Sequence, residues 1–217
     1  MTNLEVLDLS NNLFRNETFA FLSGLPSLKS LYMEHNQLQG SIDIGDSGRQ
    51  LNLTHLEEFD LSYNLINDNI FASLSGLSNL KSLDVSSNQL NGSIDMKDLG
   101  AFTNLEELDM SYNDLNEFVG CKELHVWSNV EEIFLDFSYL NNNILQSIGV
   151  FTSLKTLSLS NCRLIGSLPI QEDIDLSNNS FNGKLPRWIG NISHLKRLAL
   201  SNNHFEGSIP MEFWQLV

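Results

Sequence analysis

One frame recurs along this chain and fixes what the chain can fold into. It runs apolar, two residues, apolar, one residue, apolar, two residues, asparagine, and is first met as Leu4-x-x-Leu7-x-Leu9-x-x-Asn12. It returns at Leu28, Leu31, Met33 and Asn36, at Leu56, Phe59, Leu61 and Asn64, and at Leu80, Leu83, Val85 and Asn88. Leu105, Leu108, Met110 and Asn113 continue it, and a looser copy has Val130, Ile133, Leu135 and Ser138. Then come Leu154, Leu157, Leu159 and Cys162, next Gln171, Ile174, Leu176 and Asn179, and last Leu195, Leu198, Leu200 and Asn203. The nine asparagine-equivalent positions are spaced by 24, 28, 24, 25, 25, 24, 17 and 24 residues. A near-constant period of this length marks a stacked array, in which each unit buries its apolar face only against its neighbours.

The frame has a physical reading. Within each unit the central apolar pair alternates with polar residues, which is strand patterning. Leu7 and Leu9 turn inwards, Asp8 and Ser10 outwards, and parallel stacking of such strands builds one long sheet. The asparagine closes the strand, and its buried amide satisfies backbone groups of neighbouring turns. A ladder of Asn12, Asn36, Asn64, Asn88, Asn113, Asn179 and Asn203 is expected, with Ser138 and Cys162 filling two rungs with fewer hydrogen bonds. This explains 38 leucines and 26 asparagines in 217 residues. Leucine alone could suit a coiled coil; asparagine, a poor helix former, could not. Cys162 is read as a buried rung rather than a reactive or metal-binding thiol. With Cys121 the only other cysteine, there is no disulfide framework.

The second half of each unit takes two forms. In one, Leu38-x-Gly40-Ser41-Ile42 and its counterparts at Leu90, Leu164, Phe181 and Phe205 use glycine for a tight bend and the next apolar residue as a core plug. In the other, an apolar spacer such as Phe71-Ala72-Ser73-Leu74-Ser75-Gly76-Leu77, matched by Phe19 to Leu25, replaces it. The expected fold is an α/β-type solenoid of nine repeats spanning 1–217. Its curved superhelix carries a parallel β-sheet on the concave face and 3₁₀, short helical or extended segments on the convex face. Units start near 4, 28, 56, 80, 105, 130, 154, 171 and 195. The long spacing predicts an irregular loop over 43–52, and the short one an irregular or shortened unit over 163–176.

The stretches Leu195 to Pro210, LKRLALSNNHFEGSIP, and Leu80 to Ile94, LKSLDVSSNQLNGSI, resemble the plant-specific leucine-rich-repeat consensus LxxLxLxxNxLxGxIPxxLxxLxxL. The resemblance covers essentially the whole chain and points to ectodomains of plant receptor-like proteins, with receptor-like kinases next. It implies a recognition module that binds a protein or peptide on the concave face and signals through a membrane co-receptor, in defence or development. It also implies a place on the outer side of the plasma membrane. A soluble extracellular protein similar to polygalacturonase-inhibiting proteins is the alternative, and a non-functional truncated receptor paralogue the third reading. The usual signal peptide, cysteine-paired caps, membrane helix and kinase are not in the sequence, so a fragment is expected.

Four solvent-facing columns make the candidate binding face. The third position supplies Glu58, Glu107, Glu132 and Asp173; the fifth supplies Tyr32, Asp60, Asp84, Asp109, Phe134 and Asp175. Glu34 and Asp136 interrupt the serines of the seventh, and Tyr63, Tyr112 and Phe137 stand in the eighth. Two readings of the acids stand side by side: an attractive field for a basic partner, or ordinary Asp-Leu-Ser repeat filler that solvates the sheet. Unit six breaks the filler with Phe134, Asp136 and Phe137, which with Tyr112 and Tyr63 form an aromatic track beside carboxylates, a reasonable hot-spot pattern. Asn-x-Ser/Thr sequons at Asn16, Asn52, Asn91, Asn178 and Asn191 are candidate glycosylation sites.

Other classes find little support. A net charge of -15, from 12 basic and 27 acidic residues, argues against a nucleic-acid partner. His35, His55, His125, His194 and His204 lack metal-ligand spacing, and there is no phosphate loop, nucleophile elbow or kinase signature. Neither enzyme activity nor a cofactor is expected.

Overall fold

The computed structural model describes residues 3–22, 24–42, 53–120, 129–147, 151, 153–165, 173–185 and 197–211. Among them, each unit contributes one three-residue strand to a parallel sheet of nine: Val6–Asp8, Ser30–Tyr32, Glu58–Asp60, Ser82–Asp84, Glu107–Asp109, Glu132–Phe134, Thr156–Ser158, Asp173–Asp175 and Arg197–Ala199. Their spatial order is their chain order. The register is constant: third position pairs with third and fifth with fifth, from Val6↔Ser30 to Asp175↔Ala199. Columns along the sequence are therefore physical columns, about 4.8 Å apart from strand to strand.

The core lies behind the sheet. Fourth-position side chains Leu31, Leu83, Leu108, Ile133 and Leu157 and sixth-position Met33, Leu61, Val85, Met110, Leu135, Leu159 and Leu176 are completely buried. Each such leucine is worth about 2 kcal/mol in transfer free energy. In the outermost units Leu7, Leu9, Leu198 and Leu200 are only partly buried, because each has a neighbouring unit on one side.

The ladder stands as the amide chemistry requires. Asn64 Nδ2 donates to its own unit's Leu61 and Ser62 carbonyls and to the preceding unit's Met33 carbonyl, each at 3.0 Å. Its Oδ1 accepts from Leu38 N of that preceding unit at 3.0 Å. Asn36, Asn88, Asn113, Asn179 and Asn203 repeat the pattern. Among the described residues, Asn12 in the first unit reaches its own unit's Leu9 and Ser10 carbonyls. Cys162 keeps part of the rung: its Sγ lies 3.1 Å from the Leu135 carbonyl, and burial pushes the thiol up to about 12, so it stays protonated. Ser138 is too short, and its Oγ is buried with no hydrogen-bond partner.

Beyond the ladder the two spacer forms are not the exclusive alternatives that the sequence suggested: Asn91–Asp95, with Gly92, runs directly into the helix Met96–Leu99, and Leu65–Ile66 precedes the helix Ile70–Ser73. Apolar spacers wind into short helices at Phe19–Leu22, Ile70–Ser73, Met96–Leu99 and Ile144–Ser147, the first preceded by a 3₁₀ turn at Asn16–Thr18. Phe19, Phe71, Leu74 and Leu77 bury behind them. Segments just past the ladder, with or without glycine, are extended and pair in parallel: Gln39–Gly40 with Leu65–Ile66, Asn91–Asp95 with Asp114–Val119, and Asn182–Gly183 with His204–Phe205. Gly40, Gly92, Gly183 and Gly207 have φ between 63° and 86°, the left-handed region open to glycine at little cost. Residues 43–52, residues 166–172 of the shortened stretch, and Cys121 lie outside the described residues.

Candidate ligand-binding face

The aspartates of the fifth column are structural. In Asp8, Asp60, Asp84, Asp109 and Asp175 one carboxylate oxygen accepts from the amide of the serine two residues on, at 2.8–2.9 Å. This closes a local turn at the strand exit, a role short acidic side chains favour. The filler reading thus gains a mechanism: Asp-x-Ser holds the bend that leads to the ladder.

Unit six shows what happens when the rule is broken. Phe134 takes the fifth position and Ser158 takes it in unit seven. Asp136, displaced to the seventh position, reaches into unit seven and accepts from Ser158 Oγ and Ser160 N, both at 2.7 Å. Ser111 Oγ of unit five in turn accepts from Asp136 N at 3.1 Å. The bonds that elsewhere stay within a unit here cross between units.

These carboxylates stand close together. Asp60, Asp84 and Asp109 are consecutive register partners, and Glu107 faces Glu132. Burial pushes the Asp84 carboxyl up to about 6, with the charges of Asp109 and Asp60 adding to the effect. Burial also raises Asp109 and Asp136 above the usual carboxylate range. Tyr32 Oη donates to Glu58 at 2.7 Å, and Ser82 Oγ donates to Glu107 at 3.3 Å. The lysines of the second position are spent elsewhere: Lys29, Lys81 and Lys155 pair with Glu5, Glu57 and Glu131 at 2.9, 2.7 and 2.6 Å. Such exposed pairs add little to stability, because solvent screens them.

The eighth column holds the main surprise. Asn11, His35, Tyr63, Ser87, Tyr112, Phe137, Asn161, Asn178 and Asn202 all have φ between 51° and 59°. Asparagine tolerates this left-handed conformation; for other residues with a Cβ it costs on the order of 1 kcal/mol. Yet three aromatics and a histidine occupy it and remain solvent-exposed. They form two stacks: His35 on Tyr63 with ring centres 4.1 Å apart, and Tyr112 on Phe137 at 4.4 Å. Stacking returns on the order of 1 kcal/mol per pair, which offsets only part of the strain.

The predicted aromatic track is therefore two piles along one edge of the sheet, with Ser87 between them. Phe134 belongs to another column and is half-buried. His35 is not among the side chains the sequence singles out for the face, although its place in the eighth column is the signal that marks it. Glu34 lies beside this edge, its Oε1 3.4 Å from Asn11 Nδ2, while Glu132 is half-buried on the third column and only the backbone of Asp173 is described. No group of three or more His, Cys, Asp or Glu among the described residues could hold a metal.

The described sequons differ in availability. Asn16 Nδ2 donates to the Gln39 and Ser41 carbonyls, both at 2.8 Å, and Asn178 Nδ2 contacts Ser160 and Ser177 hydroxyls. Asn91 lies exposed on the extended segment Asn91–Asp95. Asn52 and Asn191 lie outside the described residues.

Comparison with known proteins matches this architecture. Models described as leucine-rich repeats match residues 2–45 and 78–120, 52–75, and 153–171, 172–192 and 194–216. Cuscuta receptor 1 of Solanum lycopersicum is 44% identical over 197 residues, covering 86% of this chain and 17% of its own length. Receptor like protein 21 of Arabidopsis thaliana is 37% identical over 97 residues, covering 45% of this chain and 10% of its own length. This chain thus spans less than a fifth of those relatives. Among solved structures, the Arabidopsis receptor kinase HAESA in complex with the peptide hormone IDA and the co-receptor SERK1 superposes with a TM-score of 0.76 at 27% identity, covering 99% of this chain and 37% of that one. The plant peptide hormone receptor RGFR1 in complex with RGF2 gives 0.75 at 30% identity, covering 99% and 35%. Nine stacked strands, an asparagine ladder and these matches over most of its length establish that the chain belongs to the leucine-rich-repeat family, and that it is similar to the ectodomains of plant receptor-like proteins and receptor kinases.

Proposed function

We propose that this chain is a ligand-recognition segment of a plant cell-surface receptor. It holds a peptide or protein on its concave face, outside the plasma membrane, while the whole protein signals through a membrane co-receptor. The observation that carries this reading is the pair of exposed aromatic stacks in strained backbone, set on a rigid sheet among carboxylates. Such anchors lose little side-chain entropy on binding, and a rigid support keeps their geometry. Similarity to HAESA, whose structure holds a peptide hormone and a co-receptor, supports the same assignment. The excess of acid favours a basic ligand, and the exposed sequon at Asn91 suits an extracellular setting.

The test is capture of extracellular ligands on immobilised protein, with Tyr112→Ala combined with Phe137→Ala as the variant. Both side chains are exposed, so the fold should stand, as circular dichroism will show. Loss of two hot-spot aromatics should weaken binding about ten-fold or more. Unchanged capture by a folded variant would overturn the reading.

A further inference from the structure

The eighth column is continuous along the backbone. His35 N donates to the Ser62 carbonyl, Tyr63 N to Ser86, Ser87 N to Ser111, Tyr112 N to Asp136 and Phe137 N to Ser160. All five residues share one conformation, with φ between 51° and 55°. Tyr63 and Tyr112 are thus separated by two strand spacings, roughly 9–10 Å, with only the small side chain of Ser87 between them. Each tyrosine has one ring face covered, by His35 or Phe137, at 4.1 and 4.4 Å. The uncovered ring faces flank the Ser87 gap. Two steps of about 4.4 Å nearly span it, so one flat group completes a five-layer pile.

We propose that this gap is a seat for an arginine side chain of the ligand, its guanidinium lying flat between Tyr63 and Tyr112. The inference deepens the reading of the concave face as a ligand surface, and rests on it. Charge selects the occupant: the third and fifth columns of units three to five carry Glu58, Asp60, Asp84, Glu107 and Asp109 and no basic residue. The planar, weakly hydrated guanidinium stacks on aromatic rings as an ammonium does not. The chain already makes such a contact, with the Arg163 guanidinium 4.4 Å from the centre of the Tyr139 ring, the same spacing as the Tyr112–Phe137 stack.

The test uses three labelled peptides at constant ionic strength: Lys-Lys-Arg-Lys-Lys, five lysines, and Lys-Lys-Trp-Lys-Lys. Diffuse attraction to an acidic face treats the first two alike. The seat should hold the arginine peptide about ten-fold more tightly than the lysine peptide, consistent with cation–π contacts on two faces. Ser87→Tyr places the protein's own ring in the gap, at a position where neighbouring units already carry tyrosine with φ 52° and 55°. It should bring the arginine peptide down to the lysine level. If that variant does not fold by circular dichroism, Tyr63→Ala with Tyr112→Ala should produce the same loss.

Equal binding of arginine and lysine peptides, an arginine preference that survives the filled gap, or tryptophan binding as tightly as arginine would each overturn the proposal. Its failure separates from that of the parent reading. Ligand capture sensitive to Tyr112→Ala/Phe137→Ala without an arginine preference sinks the seat alone. Capture indifferent to Tyr112→Ala/Phe137→Ala sinks the parent reading and the seat with it, even if the arginine peptide is preferred, because the captured ligand then does not use the gap.

Discussion

Asp84 is where charge and fold meet most sharply. Its ordinary value is 3.8, and burial lifts it to about 6 in the folded chain. A carboxyl raised on folding binds more protons in the native state between those two values. Its contribution to stability is therefore fully present below about pH 4 and lost as pH rises through about 6. Asp84→Asn keeps an acceptor for Ser86 N and removes the charge. It should raise stability by on the order of 2 kcal/mol at pH 7.5 and leave it nearly unchanged at pH 4. Thermal melts of both proteins at the two pH values measure this. Residue identity told only half of the story here. Asp-x-Ser spacing was legible in the sequence, and so was the chance that it is filler. The partner amide lies two residues on in the same unit, but the burial and the Asp60 and Asp109 charges that shift the carboxyl arise from neighbouring strands, which no local pattern reports.

At the scale of the strand and its turn, the sequence was most legible. Period-two alternation placed the nine strands of the long sheet, and the asparagine of each frame found its rung because one amide can answer several backbone groups at once. Glycine marked the bends at Gly40 and Gly92, where φ is positive, but not a choice between extended and helical spacers, since Asn91–Asp95 leads directly into Met96–Leu99. The left-handed eighth position was hidden for the opposite reason. Its occupants in four units are aromatic or histidine, which local preference steers away from that conformation. The turn imposes the geometry, and the side chain follows. Unit six offers a direct check on the ladder. Ser138 leaves a buried hydroxyl unsatisfied, at a site where six other units accommodate asparagine with interunit bonds. Ser138→Asn should raise stability by about 1 kcal/mol, read as an increase in the urea midpoint; a decrease would show that unit six cannot accept the larger amide.

Across the whole molecule, the array behaves as a one-dimensional stack in which the value of a bond depends on where it sits. Asn113 is buried, donates to Val85, Met110 and Ser111 carbonyls and accepts from Leu90 N. Asn12 makes the same kind of contact in the exposed first unit, with its own unit's carbonyls. Asn113→Ala should cost about 3 kcal/mol or more, because buried backbone groups lose their partners, whereas Asn12→Ala should cost under about 1 kcal/mol. Denaturant unfolding of both variants tests whether the difference follows position. The site too is legible only at this scale. Each tyrosine is ordinary in its own unit, and the gap over Ser87 exists only once three units are stacked in register.

The ladder also has a direction. Each asparagine serves the unit before it: Asn36 holds Leu9 and Phe14, Asn64 holds Met33 and Leu38, and Asn203 holds Leu176 and Phe181. A unit is thus completed by its successor. During synthesis, which delivers the chain from its N-terminus, the newest unit emerges with an open carbonyl and an open amide that the next unit's asparagine fills. A growing array of this kind always carries one unfinished layer at its leading edge, and it matures one layer behind the ribosome.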